Sequence, residues 1–275
     1  MSDMRKQQGS EKQGVIRRAA LMGVALVVIG AMHGCGGGGS AQSANRGGAS
    51  GDSTVAGTRS DSTATPLPPG SSVDMGPKSI AAPIRMLFIG TSLTAGLGLT
   101  DPMEAWPGQI GQIADSLGYR VKVQNAGLSG ETSAGALRRT DWLLKDTADV
   151  IVIETGANDG LRGLSAADLS QNLTAIVKKV QAAQPAAQVV IVQMEAPPNM
   201  GAEYATGFRG VFPAVAKATG ATLTPFLLDG VAGMASLNQA DGIHPTREGA
   251  AKAARTVWPA IKGVLDKLRP IVPKV

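Results

Sequence analysis

The sequence has very little of the two residue types that form disulfides and most structural metal sites. It contains one cysteine, Cys35, and two histidines, His33 and His244, among 275 residues. A single cysteine excludes an intrachain disulfide. A zinc site would need several such ligands, so no metal and no cofactor is expected.

The chain also lacks a basic region of the kind that binds nucleic acid. Its formal net charge is +5, but five of the 26 Lys and Arg and two of the 21 Asp and Glu lie in residues 1–34. The remainder holds 21 basic and 19 acidic residues, a net charge of +2. The high pI therefore comes mostly from one terminal segment, and nucleic acid is not expected as a partner.

That terminal segment, residues 1–34, has the pattern of an export signal. A polar, positively charged start is followed by a mostly apolar run, Ala19–Met32, which is short for a membrane span and suits a secretory signal. Cys35 then precedes a run of glycines, which resembles the cleavage box of bacterial lipoproteins. We expect Cys35 to be lipidated, with the protein anchored to a membrane of the bacterial cell envelope and facing the periplasm or cell surface. An ordinary secretory signal with an unmodified cysteine is the alternative.

Residues 35–83 contain mainly Gly, Ser, Ala, Thr, Asp and Pro, with almost no large apolar side chains. Such a stretch cannot bury enough surface to offset the entropy lost on ordering, so it is predicted to be a disordered tether. The folded part is expected at residues 84–270 as one domain, followed by a short tail, 271–275. A monomer is expected.

Short apolar runs alternate with segments of helical periodicity throughout the predicted domain. The predicted strands are Met86–Ile89, Val121–Gln124, Val150–Glu154, Val189–Met194 and Thr222–Phe226. The predicted helices are Met103–Leu117, Thr132–Lys145, Ala166–Ala183, Tyr204–Ala218 and Arg247–Leu268, with Ser165 and Thr246 as N-caps. This alternation predicts right-handed crossovers and a parallel sheet covered on both faces.

Polar, glycine-rich loops follow these strands. They are Gly90–Ser92, Asn125–Gly130, Gly156–Gly160 and, before the last helix, Asp241–His244. Ligands of open α/β sheets bind outside the carboxyl ends of the strands, so these loops are expected to meet at one edge.

The loops supply the groups that acyl transfer needs. A serine such as Ser92 attacks a carbonyl when a base such as His244 takes its proton, and a carboxylate such as Asp241 fixes the imidazole tautomer. The spacing of three lets Asp241 and His244 lie on one side of a loop turn. The backbone N–H groups of Ser92 and Gly130 and the carboxamide of Asn158 would stabilise the oxyanion. A phosphate-binding loop is disfavoured because the glycine-rich stretch after the first strand has no Lys-Ser or Lys-Thr ending.

Four sequence blocks resemble the SGNH, or GDSL-type, hydrolases, close to the bacterial periplasmic acyl-CoA thioesterase, lysophospholipase and arylesterase subgroup. The blocks are AWPGQI (Ala105–Ile110), NAGLSGETS (Asn125–Ser133), ETGANDGLRG (Glu154–Gly163) and DGIHP (Asp241–Pro245). The resemblance implies a flavodoxin-like, three-layer α/β/α fold with a five-stranded sheet of order 2-1-3-4-5 and no metal.

The resemblance also implies residue roles. Ser92 would be the nucleophile, His244 the base and Asp241 its partner, with Gly130 and Asn158 as oxyanion donors. The segment after the fourth strand matches in position the family loop that borders the acyl groove. Its residues predicted to bind substrate are Met194, Ala196, Pro197 and Met200.

One residue departs from the family pattern, because the family's GDS is here Gly90-Thr91-Ser92. We expect the Thr91 hydroxyl to accept a hydrogen bond from a backbone N–H of the turn, as an aspartate would. The predicted function is hydrolysis of small carboxylic esters or thioesters with short to medium acyl chains. A carbohydrate-ester deacetylase of the same mechanism and a catalytically silent surface-binding lipoprotein, suggested by Thr91, are the alternatives.

Overall fold

The computed structural model describes residues 82–268 of the chain. The export signal, Cys35, nearly all of the tether and the tail lie outside the described residues. Lipidation and the boundaries of the segments therefore stay predictions.

Five strands form a single parallel sheet. They are β1 (Ile84–Gly90), β2 (Val121–Gly127), β3 (Val150–Ile153), β4 (Gln188–Gln193) and β5 (Thr222–Phe226). Their spatial order is β2-β1-β3-β4-β5 and every neighbouring pair is parallel. The predicted fold class and strand order are confirmed.

Burial along the strands follows their place in the sheet. All four residues of β3 and all of β1 except Arg85 are buried, as expected for apolar strands covered on both faces. The edge strand β2 is only partly buried and carries polar residues such as Lys122 and Gln124. Strands β1 and β3 thus form the buried centre of the sheet, and the polar loops that follow them begin from this centre.

Helices cover both faces of the sheet. They are α1 (Ser92–Ala95), α2 (Trp106–Ser116), α3 (Ser133–Leu143), α4 (Ala157–Leu161), α5 (Ala166–Ala183), α6 (Ala202–Thr219) and α7 (Arg247–Leu268). Helix α2 packs against α7, while α5 packs between α3 and α6, which gives the three-layer arrangement. None of the helices within residues 82–268 has the length and apolar character needed to cross a bilayer.

Two segments differ from the sequence prediction. The predicted helix from Met103 is divided into a 3₁₀ turn, Pro102–Glu104, and α2. Pro107 explains the division, because a proline has no N–H and fits only in the first turn of a helix. The loop predicted at Gly156–Gly160 is mostly α4, which starts after Gly156 with φ of 98°.

The two predicted N-caps are present. The hydroxyl of Ser165 accepts hydrogen bonds from the N–H groups of Ala167 at 3.1 Å and Asp168 at 3.3 Å. The hydroxyl of Thr246 accepts one from Gly249 N–H at 3.2 Å. These bonds satisfy first-turn donors that have no partner inside the helix, which fixes where α5 and α7 begin.

A buried glutamine, Gln184, forms hydrogen bonds at the edge of the sheet where the strands begin. The Gln184 side-chain carbonyl accepts a hydrogen bond from Ala148 N–H at 2.8 Å. Its amide donates to the carbonyls of Leu144 at 3.1 Å and Asp146 at 3.0 Å. Gln184 thus joins the end of α5 to the loop that leads into β3, at the opposite end of that strand from the polar loops.

Candidate active site

The strand register brings three polar loops to the same edge of the sheet. Gly90, the last residue of β1, pairs with Gly127, the last residue of β2. On the other side Ile89 pairs with Ile153, the last residue of β3. The chain therefore leaves these three strands at nearly the same level, as the loop positions in the sequence predicted.

The chain turns sharply between β1 and α1, and Ser92 stands at the corner. A Cβ at Gly90 would lie 2.0 Å from the Thr94 hydroxyl, and one at Gly127 would lie 2.2 Å from the Ala95 nitrogen. Because no side chain fits at either glycine, α1 can rest directly on the strand ends. This close approach holds Ser92 at the carboxyl edge of the sheet.

Ser92, His244 and Asp241 form a continuous hydrogen-bonded chain. His244 Nε2 lies 2.9 Å from Ser92 Oγ, and His244 Nδ1 lies 2.6 Å from Asp241 Oδ2. Since a carboxylate only accepts, Nδ1 carries the proton and Nε2 is free to accept the serine hydroxyl. The structure places these three predicted residues together.

Asp241 is held in its ionised form. The hydrogen bond from His244 keeps the pKa of the Asp241 carboxyl well below its usual range, and backbone N–H groups add to this effect. Those groups belong to His244, at 3.0 Å, and Ile243, at 2.9 Å, and both bond Asp241 Oδ1. The carboxylate therefore has a fixed orientation toward the imidazole even though it is partly exposed.

Gln239, which no sequence pattern marked, joins the loop that carries His244 (residues 239–245) to the segment that follows α1. Its side-chain amide donates to the carbonyl of Leu97 at 2.7 Å and to that of Pro245 at 2.9 Å. Its backbone N–H donates to the His244 carbonyl at 2.7 Å. The segment that follows α1 and the loop that carries the imidazole are thus joined by one side chain.

The three predicted oxyanion donors line a common cleft with His244. Asn158 Nδ2 donates to the Glu131 carbonyl at 3.0 Å, which leaves its second N–H available. Within residues 82–268, the backbone N–H groups of Ser92 and Gly130 have no hydrogen-bond partner. Gly130 has φ of 77°, a conformation that favours glycine. These donors are therefore free to bind an oxygen atom in the cleft.

A buried aspartate aligns the two loops that carry Gly130 and Asn158. The carboxylate of Asp159 accepts hydrogen bonds from Ser133 N–H at 2.8 Å and from its hydroxyl at 2.5 Å. The Ser133 hydroxyl in turn accepts one from Asn172 Nδ2 at 3.0 Å. The start of α3 is thereby joined to α4 and α5, and the distance between the two loops is fixed.

A second buried acid, Glu131, connects the loop that carries Gly130 to the end of β1. Its carboxylate accepts a bidentate pair of hydrogen bonds from Arg139, at 2.7 Å from Nε and 2.6 Å from Nη2. Arg139 Nη2 also donates to the Gly90 carbonyl at 3.2 Å. The guanidinium therefore joins the Gly130 loop to the residue just before the serine turn.

The side chain of Thr91 is used differently from the sequence prediction. We expected its hydroxyl to accept a bond from a backbone N–H of the turn, and this is wrong, because it makes no such cap. The hydroxyl lies 3.0 Å from each carboxyl oxygen of the buried Glu154, and Thr91 N–H donates to Glu154 Oε2 at 2.8 Å. In the sequence, Glu154 lies at the end of a predicted strand and at the start of the block ETGANDGLRG, but no local pattern assigns it a role.

The cleft beside Ser92 has a volume of about 280 Å³ and mostly apolar walls. Its apolar lining residues are Leu93, Leu97, Leu161, Leu228 and Ile243. Leu97, Leu161 and Ile243 are 44–47% exposed, so the rim of the cleft presents uncovered apolar surface. An acyl chain is the part of an ester that fits such walls.

The four residues predicted to bind substrate are not among those that line this cleft. Met194 is buried, with 2% of its surface exposed. The Cα of Ala196 lies 3.3 Å from where a Cβ of Gly160 would stand, and the methyl of Met200 lies 2.8 Å from that position at Gly163. This segment, which also includes Pro197, therefore packs against α4 and the turn after it, and its contact with substrate stays a prediction.

Taken together, the fold and this arrangement of side chains define a serine hydrolase of the three-layer α/β/α type. A family model described as the GDSL-like lipase/acylhydrolase family matches residues 88–252. The chain belongs to this family, and it is an enzyme that hydrolyses ester bonds.

Named relatives are similar over most of their own length. Esterase TesA of Pseudomonas aeruginosa is 40% identical over 186 residues, which cover 67% of this chain and 91% of that protein. Thioesterase 1/protease 1/lysophospholipase L1 of Escherichia coli is 35% identical over 169 residues, 61% of this chain and 78% of that protein. The crystal structure of esterase EstA from Pseudoalteromonas sp., inhibited by monoethylphosphonate, matches with a TM-score of 0.62 and 36% identity, covering 66% of this chain and 98% of that one.

The buried acid Glu154 predicts a pH dependence of stability. Burial raises the pKa of Glu154 above its ordinary value of 4.5, so the folded state binds this proton more tightly than the unfolded state. Its contribution to stability is full at pH values below the ordinary pKa and is lost as the pH rises through the folded-state pKa. Relative to wild type, Glu154→Gln should therefore gain stability as the pH rises from the ordinary pKa of the carboxyl group through its pKa in the folded state. Urea unfolding of both proteins at a series of pH values measures the difference, and a difference independent of pH would contradict it.

Proposed function

We propose that this enzyme hydrolyses carboxylic esters and thioesters of short to medium acyl chains, with Ser92 as nucleophile, His244 as base and Asp241 as its partner. The observation that supports this assignment is the unbroken contact from Ser92 Oγ to His244 Nε2 and from Nδ1 to Asp241. The imidazole is the only one in residues 82–268, so no other histidine in the described part of the chain can act as the base.

The geometry supports a two-step reaction. Ser92 Oγ attacks the acyl carbon while its proton moves to His244 Nε2, and Asp241 offsets the positive charge of the imidazolium. Collapse of the tetrahedral intermediate breaks the bond to the alcohol or thiol, which takes the proton from His244. A water molecule, activated by the same nitrogen, then attacks the acyl carbon and releases Ser92 and the carboxylic acid.

The negative oxygen of each tetrahedral intermediate would be bound by Ser92 N–H, Gly130 N–H and Asn158 Nδ2. Loss of one such donor typically lowers kcat by about 10²- to 10³-fold. Because Asn158 already donates one N–H to Glu131 O, its carboxamide is oriented before substrate arrives. Such preorganisation is what makes a donor effective in the transition state.

The substrate range rests on the cleft and on the relatives. The apolar walls of the 280 Å³ cleft favour an acyl chain longer than acetate over a polar glycan. The names of the relatives in P. aeruginosa and E. coli, an esterase and a thioesterase/lysophospholipase, agree with an acyl ester or thioester. No observation specifically favours the deacetylase or the silent binder, since Thr91 leaves the contact between Ser92 and His244 intact.

Removal of the nucleophile or the base should nearly abolish activity. Ser92→Ala and His244→Ala should each lower kcat by several orders of magnitude, and the double variant should be no worse than either, because the two residues act as a unit. Steady-state kinetics on p-nitrophenyl butyrate test this, with circular dichroism as the control for folding. A rate above about a tenth of wild type in His244→Ala would be incompatible with its role as base.

Acyl-chain preference should follow the apolar cleft. We expect kcat/KM for p-nitrophenyl esters to rise from acetyl to butyryl or hexanoyl and to decline toward dodecanoyl. Leu228→Ala, which enlarges the cleft, should shift the maximum toward longer chains. A profile that peaks at acetyl and is unchanged by Leu228→Ala would remove the acyl-cleft interpretation.

We further propose that the enzyme is anchored to a membrane of the cell envelope by lipid on Cys35. The support for this is sequence alone: the export signal in residues 1–34, the cysteine that follows it, and the glycine-rich tether. A lipid chain contributes about 0.8 kcal/mol per buried CH₂, and stable anchoring normally needs more than one chain. The tether would let the catalytic domain reach substrates near the membrane.

Anchoring can be tested by metabolic labelling of the full chain with a radioactive fatty acid in a bacterial host. Wild type should take up label and sediment with membranes, whereas Cys35→Ala should take up no label and should be left uncleaved or be released. Cys35→Ala should keep its esterase activity if it is exported, because the catalytic domain is unchanged. An unlabelled wild-type protein in the soluble fraction would show that the segment is an ordinary secretory signal.

A further inference from the structure

The replacement of the family aspartate by Thr91 raises the question of what fixes the turn that carries Ser92. An aspartate at this position could accept hydrogen bonds from the turn through its own carboxylate. Threonine has no negative charge, and the Thr91 side chain makes no cap on α1. The carboxyl group nearest this turn comes from Glu154, the residue directly after β3.

All hydrogen bonds of the Glu154 side chain in the described part of the protein go to the serine turn. Glu154 Oε2 accepts from Thr91 N–H at 2.8 Å and lies 2.9 Å from the Thr94 hydroxyl. Both carboxyl oxygens lie 3.0 Å from the Thr91 hydroxyl. The backbone of Glu154 is itself fixed, because its N–H donates to the Ile89 carbonyl at 2.8 Å within the sheet.

The carboxyl group of Glu154 is tightly enclosed by its neighbours. Glu154 has no solvent exposure, and a Cβ at Gly90 would lie 2.8 Å from Oε2. A buried polar group of this kind is costly unless it is hydrogen-bonded, so its bonds to Thr91 and Thr94 are strongly maintained. The sheet, through Glu154, therefore sets the position of the turn.

The residues on both sides of the Ser92 N–H are held as a result. Thr91 N–H is bound by Glu154, and the Thr91 carbonyl accepts from Ala95 N–H at 2.9 Å. The Ser92 carbonyl accepts from Gly96 N–H at 3.0 Å. Rotation of the peptide plane between Thr91 and Ser92 would break these hydrogen bonds, so the position of the unpaired Ser92 N–H is restrained.

We propose that Glu154 is a positioning residue for Ser92: through Thr91 and Thr94 it fixes both the hydroxyl and the N–H of the nucleophile relative to His244. The proposal rests on the catalytic role of Ser92 given above. It extends that role by assigning to a strand-end glutamate the function that the sequence pattern places on an aspartate beside the serine. Glu154 does not contact substrate.

The test compares kcat and KM for p-nitrophenyl butyrate in a set of matched variants of the full enzyme. The concentration of active sites in each variant is measured by titration with a fluorophosphonate. Glu154→Leu removes every bond to the turn at similar volume and should lower kcat by about 10- to 100-fold with KM changed by less than about twofold, because a misplaced nucleophile slows the chemical step. Glu154→Gln keeps an acceptor for Thr91 N–H and should recover most of that loss.

Substitutions at Thr91 test the same contact without removing the buried acid. Thr91→Val deletes the hydroxyl bond to Glu154 and should lower kcat by about 3- to 10-fold, whereas Thr91→Ser keeps the hydroxyl and should stay within about twofold of wild type. If Glu154→Leu does not fold, this pair decides the question. Equal kcat values in Thr91→Val and Thr91→Ser would overturn the proposal.

Gln184→Ala is the control for a merely structural effect. Gln184 is also buried and makes three hydrogen bonds at the end of β3, but at the edge of the sheet away from Ser92. It should lower the melting temperature and leave kcat per active site unchanged. If Glu154→Leu behaves like Gln184→Ala, Glu154 has only a structural role and the proposal is wrong. If Ser92→Ala remains active, the proposed function itself fails, which is a separate outcome.

Discussion

The contact between Ser92 Oγ and His244 Nε2 joins two residues that are 152 positions apart in the chain. A hydrogen bond of 2.9 Å tolerates displacements of only a few tenths of an ångström. Several polar side chains at the carboxyl edge of the sheet hold Ser92 and His244 in place. Glu154 holds the turn that carries Ser92, and Gln239 holds the loop that carries His244 against the segment after α1.

Three buried acidic side chains hold the loops at this edge of the sheet in place. Glu154 fixes the serine turn, Asp159 fixes the start of α3 against α4, and Glu131 binds Arg139, which reaches the Gly90 carbonyl. A carboxylate accepts several hydrogen bonds at once, so one side chain can replace many backbone contacts where the chain has no regular structure. Loops that would otherwise move independently are therefore joined to the sheet and to one another.

The fold and the proximity of the proposed catalytic side chains were predictable from the sequence because both follow local rules. Short apolar strands, helical periodicity and polar strand ends predicted the parallel sheet and the grouping of Ser92, Asn158, Asp241 and His244 at one edge. The strand order came from the resemblance to the GDSL-type hydrolases. The supporting contacts were not accessible, because Glu154 and Gln239 act on residues distant in sequence and carry no local pattern. The prediction that residues 194–201 border the acyl group rested on their position after the fourth strand and on two methionines. Where this segment lies is determined by its packing against α4, which has no local sequence pattern.

The imidazole and its carboxylate partner lie three residues apart on one loop, whereas the nucleophile lies on another element. A displacement of the loop at residues 239–245 therefore carries His244 and Asp241 together and separates both from Ser92. Such a loop, held mainly by a few side-chain bonds, opens at a lower free energy than the five-stranded core. We therefore expect thermal inactivation to precede the loss of secondary structure, because inactivation requires only that one loop detach.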